Sequence, residues 1–221
     1  MKYFILSNST DEKEIGNDYP QCKGVPKGYS FKWYDNPNSM TELSNDFFPK
    51  NTPNLIFELK ETAILTDVVS PNNINARGFL VNQKVKNILC NYKLLNHQFY
   101  NADVIVKNKI YKYYWVHFVK KDLTGINFKK SYFIEADLFD DKVKNVTVNS
   151  LENYITCKNN RDSKFNRIII ESLKLNEDIL PLDLFFFPMI HSNMIVSQKL
   201  LNKIKECNIK GLKYKEASFI Q

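Results

Sequence analysis

The chain spells one phrase twice. "LVNQKVKN" runs from Leu80 to Asn87, and "IVSQKLLN" runs from Ile195 to Asn202. Laid side by side without gaps, the phrases lie 195 − 80 = 115 residues apart, pairing Leu80 with Ile195, Val81 with Val196, Gln83 with Gln198, Lys84 with Lys199 and Asn87 with Asn202. The same shift pairs Phe99 with Tyr214, Ala102 with Ala217, Val104 with Phe219 and Ile105 with Ile220. Upstream, with small gaps, Leu59-Lys60 answers Leu173-Lys174, Ile64-Leu65 answers Ile179-Leu180, and Asp67 answers Asp183. A repeat of about fifty residues is the size of a supersecondary unit, so the sequence is constrained to fold as two related units.

Each unit has a local physical reading. Asn82 and Ser197 stand just before helical patterns, where a side-chain oxygen accepts a bond from a free backbone N–H of the first turn. The first helix buries Val85, Ile88, Leu89 and Tyr92; the second buries Leu200, Leu201, Ile204 and Cys207. Both helices are too short to persist without a sheet to pack on. A turn and a strand follow each helix. Gly211 supplies positive φ in the second copy, and Asn96 is expected to do so in the first. The strands are placed at Gln98 to Val106 and Leu212 to Ile220, with the apolar phase slipping near Tyr100-Asn101 and Lys215-Glu216, which predicts a β-bulge in each. Gln83, Lys84, Gln198 and Lys199 fall on the first helical turns and are expected to face solvent, so the phrase reads as structural; a shared binding role for the two lysines is the alternative.

Elsewhere, "VIVKNKIYKYYWVHFVKK" (Val104 to Lys121) reads as two strands about a turn at Asn108-Lys109, with aromatic residues on both faces. Strands are expected within Ile126 to Glu135 and Asn166 to Leu175, and at "KYFIL", "YSFKW" and "NLIFELK". Ser150 opens a helix over "SLENYITCKNN", for which a strand is the alternative, and "SMTE" (Ser39 to Glu42) is a capping-box pattern. The sum is an α+β protein, mostly antiparallel sheets with few short helices, built from two related strand–loop–helix–strand halves. Residues 1–51 form an N-terminal β-rich extension, 52–121 the first half with its aromatic hairpin and 122–221 the second; packing of all three as one compact domain is the alternative.

Formal net charge is +7, spread along the chain without a block of like charges. A solvated basic surface is the plain reading, and an acidic partner, nucleic acid or an anionic surface is the alternative. Cys22, Cys90, Cys157 and Cys207 are widely spaced, which predicts reduced thiols in a cytoplasm. The opening "MKYFILSNST" has too short an apolar run for a signal-peptide core, and "PLDLFFFPMI" is too broken to span a membrane. A cytoplasmic protein without a membrane partner is the expectation.

Little in the sequence points to catalysis. His97, His117 and His191 are isolated from one another and from the cysteines, so no metal site is expected. There is no glycine-rich phosphate loop and no nucleophile elbow, and only 6 glycines are present. Asp140-Asp141 and Glu177-Asp178 fall in expected turns. No catalytic residue, cofactor or metal is assigned. The best nucleic-acid candidate is the basic aromatic stretch Lys107–Lys121, where rings on a sheet would stack bases and lysines would hold phosphates.

The pattern "FLVNQKVKNIL…FYNADVIV…YKYYWVHF", followed by "DLFFFP…MIVSQKLLNKI…IKGLKY", resembles bacterial polymorphic-toxin immunity proteins. The nearest likeness is to the immunity protein 43 type and its myxobacterial-type relatives, an immunity domain of unknown function. It covers the chain from about Ile64 onward, about two thirds of its length. The residues that carry it are Leu80-Val81, Lys84, Tyr114, His117, Asp183-Leu184-Phe185, Val196-Ser197, Lys199-Leu200 and Gly211-Leu212, with Asn82 standing where the pattern has serine. The resemblance implies a protein that binds a cognate toxin and neutralises it without catalysis of its own. The alternatives are a nucleic-acid-binding module and a small enzyme without a recognisable motif. Tight inhibition needs aromatic anchors in a sizeable patch. Tyr111, Tyr114, Trp115, Lys84 and Lys199 are the candidate anchors, with Tyr113 and Phe185–Phe187 as further aromatic supply.

Overall fold

In the computed structural model, residues 2–24, 27, 48, 55–72, 74, 77–119, 125–177, 179–187 and 190–221 are described. The expected strand "YSFKW" and the Ser39–Glu42 cap lie outside them. The chain is α+β, with three mostly antiparallel sheets and few short helices. Its elements in order are β1 (Tyr3–Asn8), α1 (Glu12–Ile15), β2 (Leu55–Glu58), β3 (Val68–Val69), β4 (Gly78–Asn82), α2 (Gln83–Leu89), β5 (His97–Val106) and β6 (Lys109–Phe118). There follow a 3-10 turn (Phe128–Lys130), β7 (Tyr132–Ala136), β8 (Lys142–Val146), α3 (Leu151–Asn159), β9 (Arg167–Ser172), β10 (Leu184–Phe187), β11 (His191–Ser197), α4 (Gln198–Glu206) and β12 (Leu212–Glu216).

The repeat is a repeat of sheets. One sheet runs β2-β5-β6-β4-β3 and the other β10-β11-β1-β12. Matching β3 with β10, β4 with β11 and β5 with β12 leaves β6 in the position of β1. The register agrees residue by residue. Phe99 faces Val116 and Tyr214, its equivalent at the 115-residue shift, faces Leu6; Asn82 faces Tyr113 and Ser197 faces Tyr3. The two tyrosines even act alike, since Tyr113 Oη donates to Thr66 O at 2.5 Å and Tyr3 Oη to Leu180 O at 3.4 Å. Thus the first half takes its central strand from the chain after β5, and the second half takes its own from the N-terminal segment.

Alternation along these strands feeds two cores at once. Phe79 and Val81 of β4, and Met194 and Val196 of β11, join the apolar stripes of α2 (Val85, Ile88, Leu89) and α4 (Leu200, Leu201, Ile204) in one central core shared by both halves. The opposite face of the first sheet packs Leu80, Tyr100, Trp115, Leu55 and Phe57. The opposite face of the second packs Ile195, Tyr3, Phe185 and Phe187.

Neither expected bulge forms: double coverage accounts for the first, and the second falls where β12 ends. β5 pairs with β6 without a break from His97↔Phe118 to Val106↔Lys109, and β1 pairs with β12 in unbroken register up to Glu216. The apolar phase changes near Tyr100 because Phe99 packs on the central core while Tyr100 turns to the other one. Three boundaries also differ. The hairpin turn is Lys107-Asn108, both at positive φ (45° and 67°), one residue earlier than expected. Asn96 is not at positive φ, unlike Gly211 (φ 93°). The last strand ends at Glu216 rather than Ile220.

The third sheet, β8-β7-β9, carries α3 over Phe133, Tyr154, Val148 and Ile168, and Ser150 caps that helix as expected. Glu135 of β7 is 1% exposed. Burial alone would raise its pKa, but the Asn166 amide (2.6 Å), the Asp162 N–H (2.9 Å) and Lys144 (3.4 Å) hold it below the usual carboxylate range. A carboxylate depressed by folding adds stability above its unfolded pKa near 4.5, and that stability is lost as pH falls through the folded value. Glu135→Gln is therefore expected to cost about 1–3 kcal/mol at pH 7 and to flatten the acid side of the stability profile. Urea titrations from pH 7 to pH 3 read this; an unchanged acid limb would assign the acid sensitivity to other carboxylates.

Candidate interaction surface

Some of the resemblance residues, Asp183, Ser197, Leu200 and Gly211 among them, lie where helix, sheet and the two halves join. Asn82 Oδ1 accepts from Val85 N at 3.1 Å while its Nδ2 donates to Asp67 Oδ1 at 2.7 Å. Ser197 Oγ accepts from Leu200 N at 3.2 Å while donating to Asp183 Oδ1 at 2.7 Å. An amide and a hydroxyl thus do the same two jobs, which is why Asn can stand where the pattern has Ser. The second oxygen of each aspartate crosses to the other half. Asp67 Oδ2 accepts from Lys210 N at 2.9 Å, beyond α4, and Asp183 Oδ2 accepts from Lys93 N at 3.1 Å, beyond α2. On the helix surfaces Gln83 bonds Asn87 at 2.6 Å and Gln198 bonds Asn202 at 2.7 Å, so the repeated phrase also holds its own exposed side.

Two open depressions flank this junction and share Leu65, Thr66 and Lys210. One, of about 440 Å³, is lined by Lys84, Tyr111 and Lys112. The other, of about 730 Å³, is lined by Asp11, Lys13, Glu14, Ile64, Lys213 and Tyr214. Ile64 (49% exposed), Tyr111 (40%) and Tyr214 (46%) give the groove apolar surface between its lysines. The geometry suits a charged, partly apolar partner surface.

The five candidate anchors do not form one cluster. Lys84 and Tyr111 share the smaller depression. Tyr114 is half-buried beside it: its hydroxyl donates to Gln83 Oε1 at 2.6 Å and Lys86 Nζ sits 3.7 Å from its ring centre. Lys199 lies apart, near Tyr92 and Lys203, with its ammonium 5.3 Å from the Tyr92 ring. Trp115 is buried in the core and offers no surface to a partner. The base-stacking alternative meets the same arrangement, because Tyr113 and Trp115 face inward and the Tyr114 ring already carries a lysine. Sequence reasoning missed Lys210, Lys213 and Tyr214, which only the crossing of the halves brings beside Lys84 and Tyr111. Phe185, Phe186 and Phe187 are all fully buried.

Burial pushes the Cys22 thiol up to about 12, against a smaller opposing effect of Lys60, so it stays protonated. His97 Nδ1 lies 3.0 Å from Leu95 O, and His117 is buried against Tyr100. Among the described residues no group of three or more His, Cys, Asp or Glu is placed to hold a metal ion, and no helix is long and apolar enough to cross a membrane. No protein-family model matches the chain, and no curated protein does.

Proposed function

We propose that this chain is an immunity protein that binds and neutralises a cognate bacterial toxin, acting in the cytoplasm as a stoichiometric inhibitor. The observation that carries this reading is how the resemblance residues are used. Asp183, Ser197, Leu200, Val81, Val196 and Gly211 all join helix to sheet or one half to the other. A sequence pattern spent on scaffold fits a protein whose function is a shape and a surface. The resemblance from Ile64 onward supplies the toxin, and the lysine-rich groove with Tyr111 and Tyr214 fits an acidic patch on it.

The test is co-expression of the chain with the product of the adjacent reading frame. A stoichiometric complex and restored growth are expected. Lys84→Glu and Tyr111→Ser should each weaken the complex about tenfold or more if the groove is in the contact. A neighbour that stays toxic and unbound in the presence of the wild-type chain would end the immunity reading. The nucleic-acid module would then be tested by oligonucleotide affinity, which for such a module falls steeply with salt.

A further inference from the structure

The turn between β7 and β8 combines a rigid frame with an apolar tip. Its residues are Asp137, Leu138, Phe139, Asp140 and Asp141. Asp137 N donates to Asp141 O at 3.0 Å and Asp140 N to Asp137 O at 3.3 Å. Asp137 Oδ1 accepts from Phe139 N at 2.9 Å and from Asp141 N at 3.0 Å, an Asx-type closure of the loop. From β9, Arg167 pairs with Asp140 at 2.9 Å and reaches Leu138 O at 3.5 Å. Asp140 takes positive φ, 68°, to complete the turn. This bracing holds out Leu138, 62% exposed, and Phe139, 85% exposed, the most exposed of the large hydrophobic side chains described. Val143, two residues past the turn in β8, and Phe165, two residues before β9, are also exposed, at 47% and 58%.

A turn that only reverses the chain is better served by polar residues. Here the backbone is fixed and the apolar groups are its display, the arrangement that loses least conformational freedom on binding. We infer that Leu138 and Phe139 form an apolar plug that seats in a pocket of a protein partner with a cationic rim. The rim follows from charge. Arg167 neutralises Asp140, Lys142 pairs with Glu171, Lys144 lies between Glu135 and Asp162, and Lys164 sits over the Phe165 ring, so Asp137 and Asp141 carry the net negative charge of the tip. Such a tip is repelled by an anionic lipid surface, whose attraction works through lysine and arginine. It is matched by a basic rim on a protein. The convex tip needs a concave receptor, whereas β8 beside it is a short edge strand with Lys142 and Lys144, a form that discourages strand pairing with a second copy. The partner's identity rests on the proposed function, in which it is the toxin.

The experiment uses the full chain and the adjacent reading frame's product. Compared are wild type, Phe139→Ser, Leu138→Ser/Phe139→Ser, Asp141→Lys and the control Ile110→Ser, an apolar residue on the β5–β6 hairpin as exposed as Leu138. All should melt at the wild-type temperature, since the altered side chains are in solvent. Expected are a tenfold or greater loss of affinity for Phe139→Ser, a larger loss for the double variant, a loss for Asp141→Lys and no change for Ile110→Ser. If wild type binds and the double variant binds equally well, the plug is wrong and the immunity reading stands. If wild type binds nothing and gives no protection, the immunity reading falls and this assignment with it. Phe139-dependent dimerisation in sedimentation, or Phe139-dependent flotation with phosphatidylcholine–phosphatidylserine vesicles, would overturn the choice of partner.

Discussion

Replacing Gly211 by alanine is expected to destabilise the protein by about 3–5 kcal/mol, enough to leave a marginal fold partly unfolded. Gly211 begins the return from α4 to β12 at φ 93°, a backbone that costs a residue with a Cβ roughly 1–3 kcal/mol. The added carbon would stand 1.8 Å from Val68 O and 2.8 Å from Thr66 Oγ1. The first of these is backbone and cannot swing aside. Val68 N already donates to Lys210 O at 3.0 Å, and Ser9 N to Gly211 O at 2.9 Å, so β3, the end of β1 and the start of β12 all close on this point. Relief requires prising the halves apart, a further cost of about 1–3 kcal/mol for overpacking. Gly24→Ala is the control: its φ is 32° but nothing lies within 4 Å of the new carbon, and about 1 kcal/mol is expected. Urea unfolding of both variants checks this. Similar midpoints for the two would mean that the junction yields where the geometry says it is tight.

The duplication could be read from the sequence because its pairs keep one spacing, 115 residues, and because caps and apolar stripes are local signals. Asn82, Ser197 and Ser150 cap where those signals put them, and the stripes of α2 and α4 hold except at their last residues, Tyr92 and Cys207, which lie past the helix ends and are only partly buried. The place of β1 was not legible, because strand partners are chosen by long-range pairing. Nothing local in "YFIL" says that it will lie between β11 and β12. The bulges were inferred from an alternation rule that assumes one wet face, and both faces of β5 meet a core. Residue type alone makes Trp115 a candidate anchor, whereas register decides which face a residue takes; opposite Leu80 and Tyr100 it faces inward. The groove gathers Lys13, Lys84, Lys210 and Lys213 from segments far apart in sequence, so no spacing could announce it. The Phe139 tip is hidden by its setting, since the acidic residues of "DLFDD" mark it as an ordinary solvated turn.

Asp183→Ala should cost about 3–4 kcal/mol, and Asp67→Ala about half as much, although the two aspartates make matching bonds. The difference is solvent. Asp183 is 6% exposed and Ser197 fully buried, so removing the carboxylate strands the Ser197 hydroxyl where water cannot replace it and takes the partner from the part-buried Lys93 N–H. Hydrogen bonds to a buried carboxylate are worth roughly 1.5–3 kcal/mol each, and orphaned donors add their own desolvation. Asp67 is only half-buried, so water can take up the Lys210 N–H and the Asn82 amide. Because Asp183 and Ser197 share a bond, the double variant Asp183→Ala/Ser197→Ala should cost clearly less than the sum of its singles, with a coupling of about 1 kcal/mol or more. Asp67→Ala and Asp183→Ala share no partner and should add within about 0.5 kcal/mol. All of this should appear as one unfolding transition, because α2 and α4 share a core and each aspartate grips the opposite half. Two separated transitions would show that the halves fold as independent units and that the crossed bonds are incidental. A larger loss at Asp67 than at Asp183 would show that exposure does not set the cost at these sites.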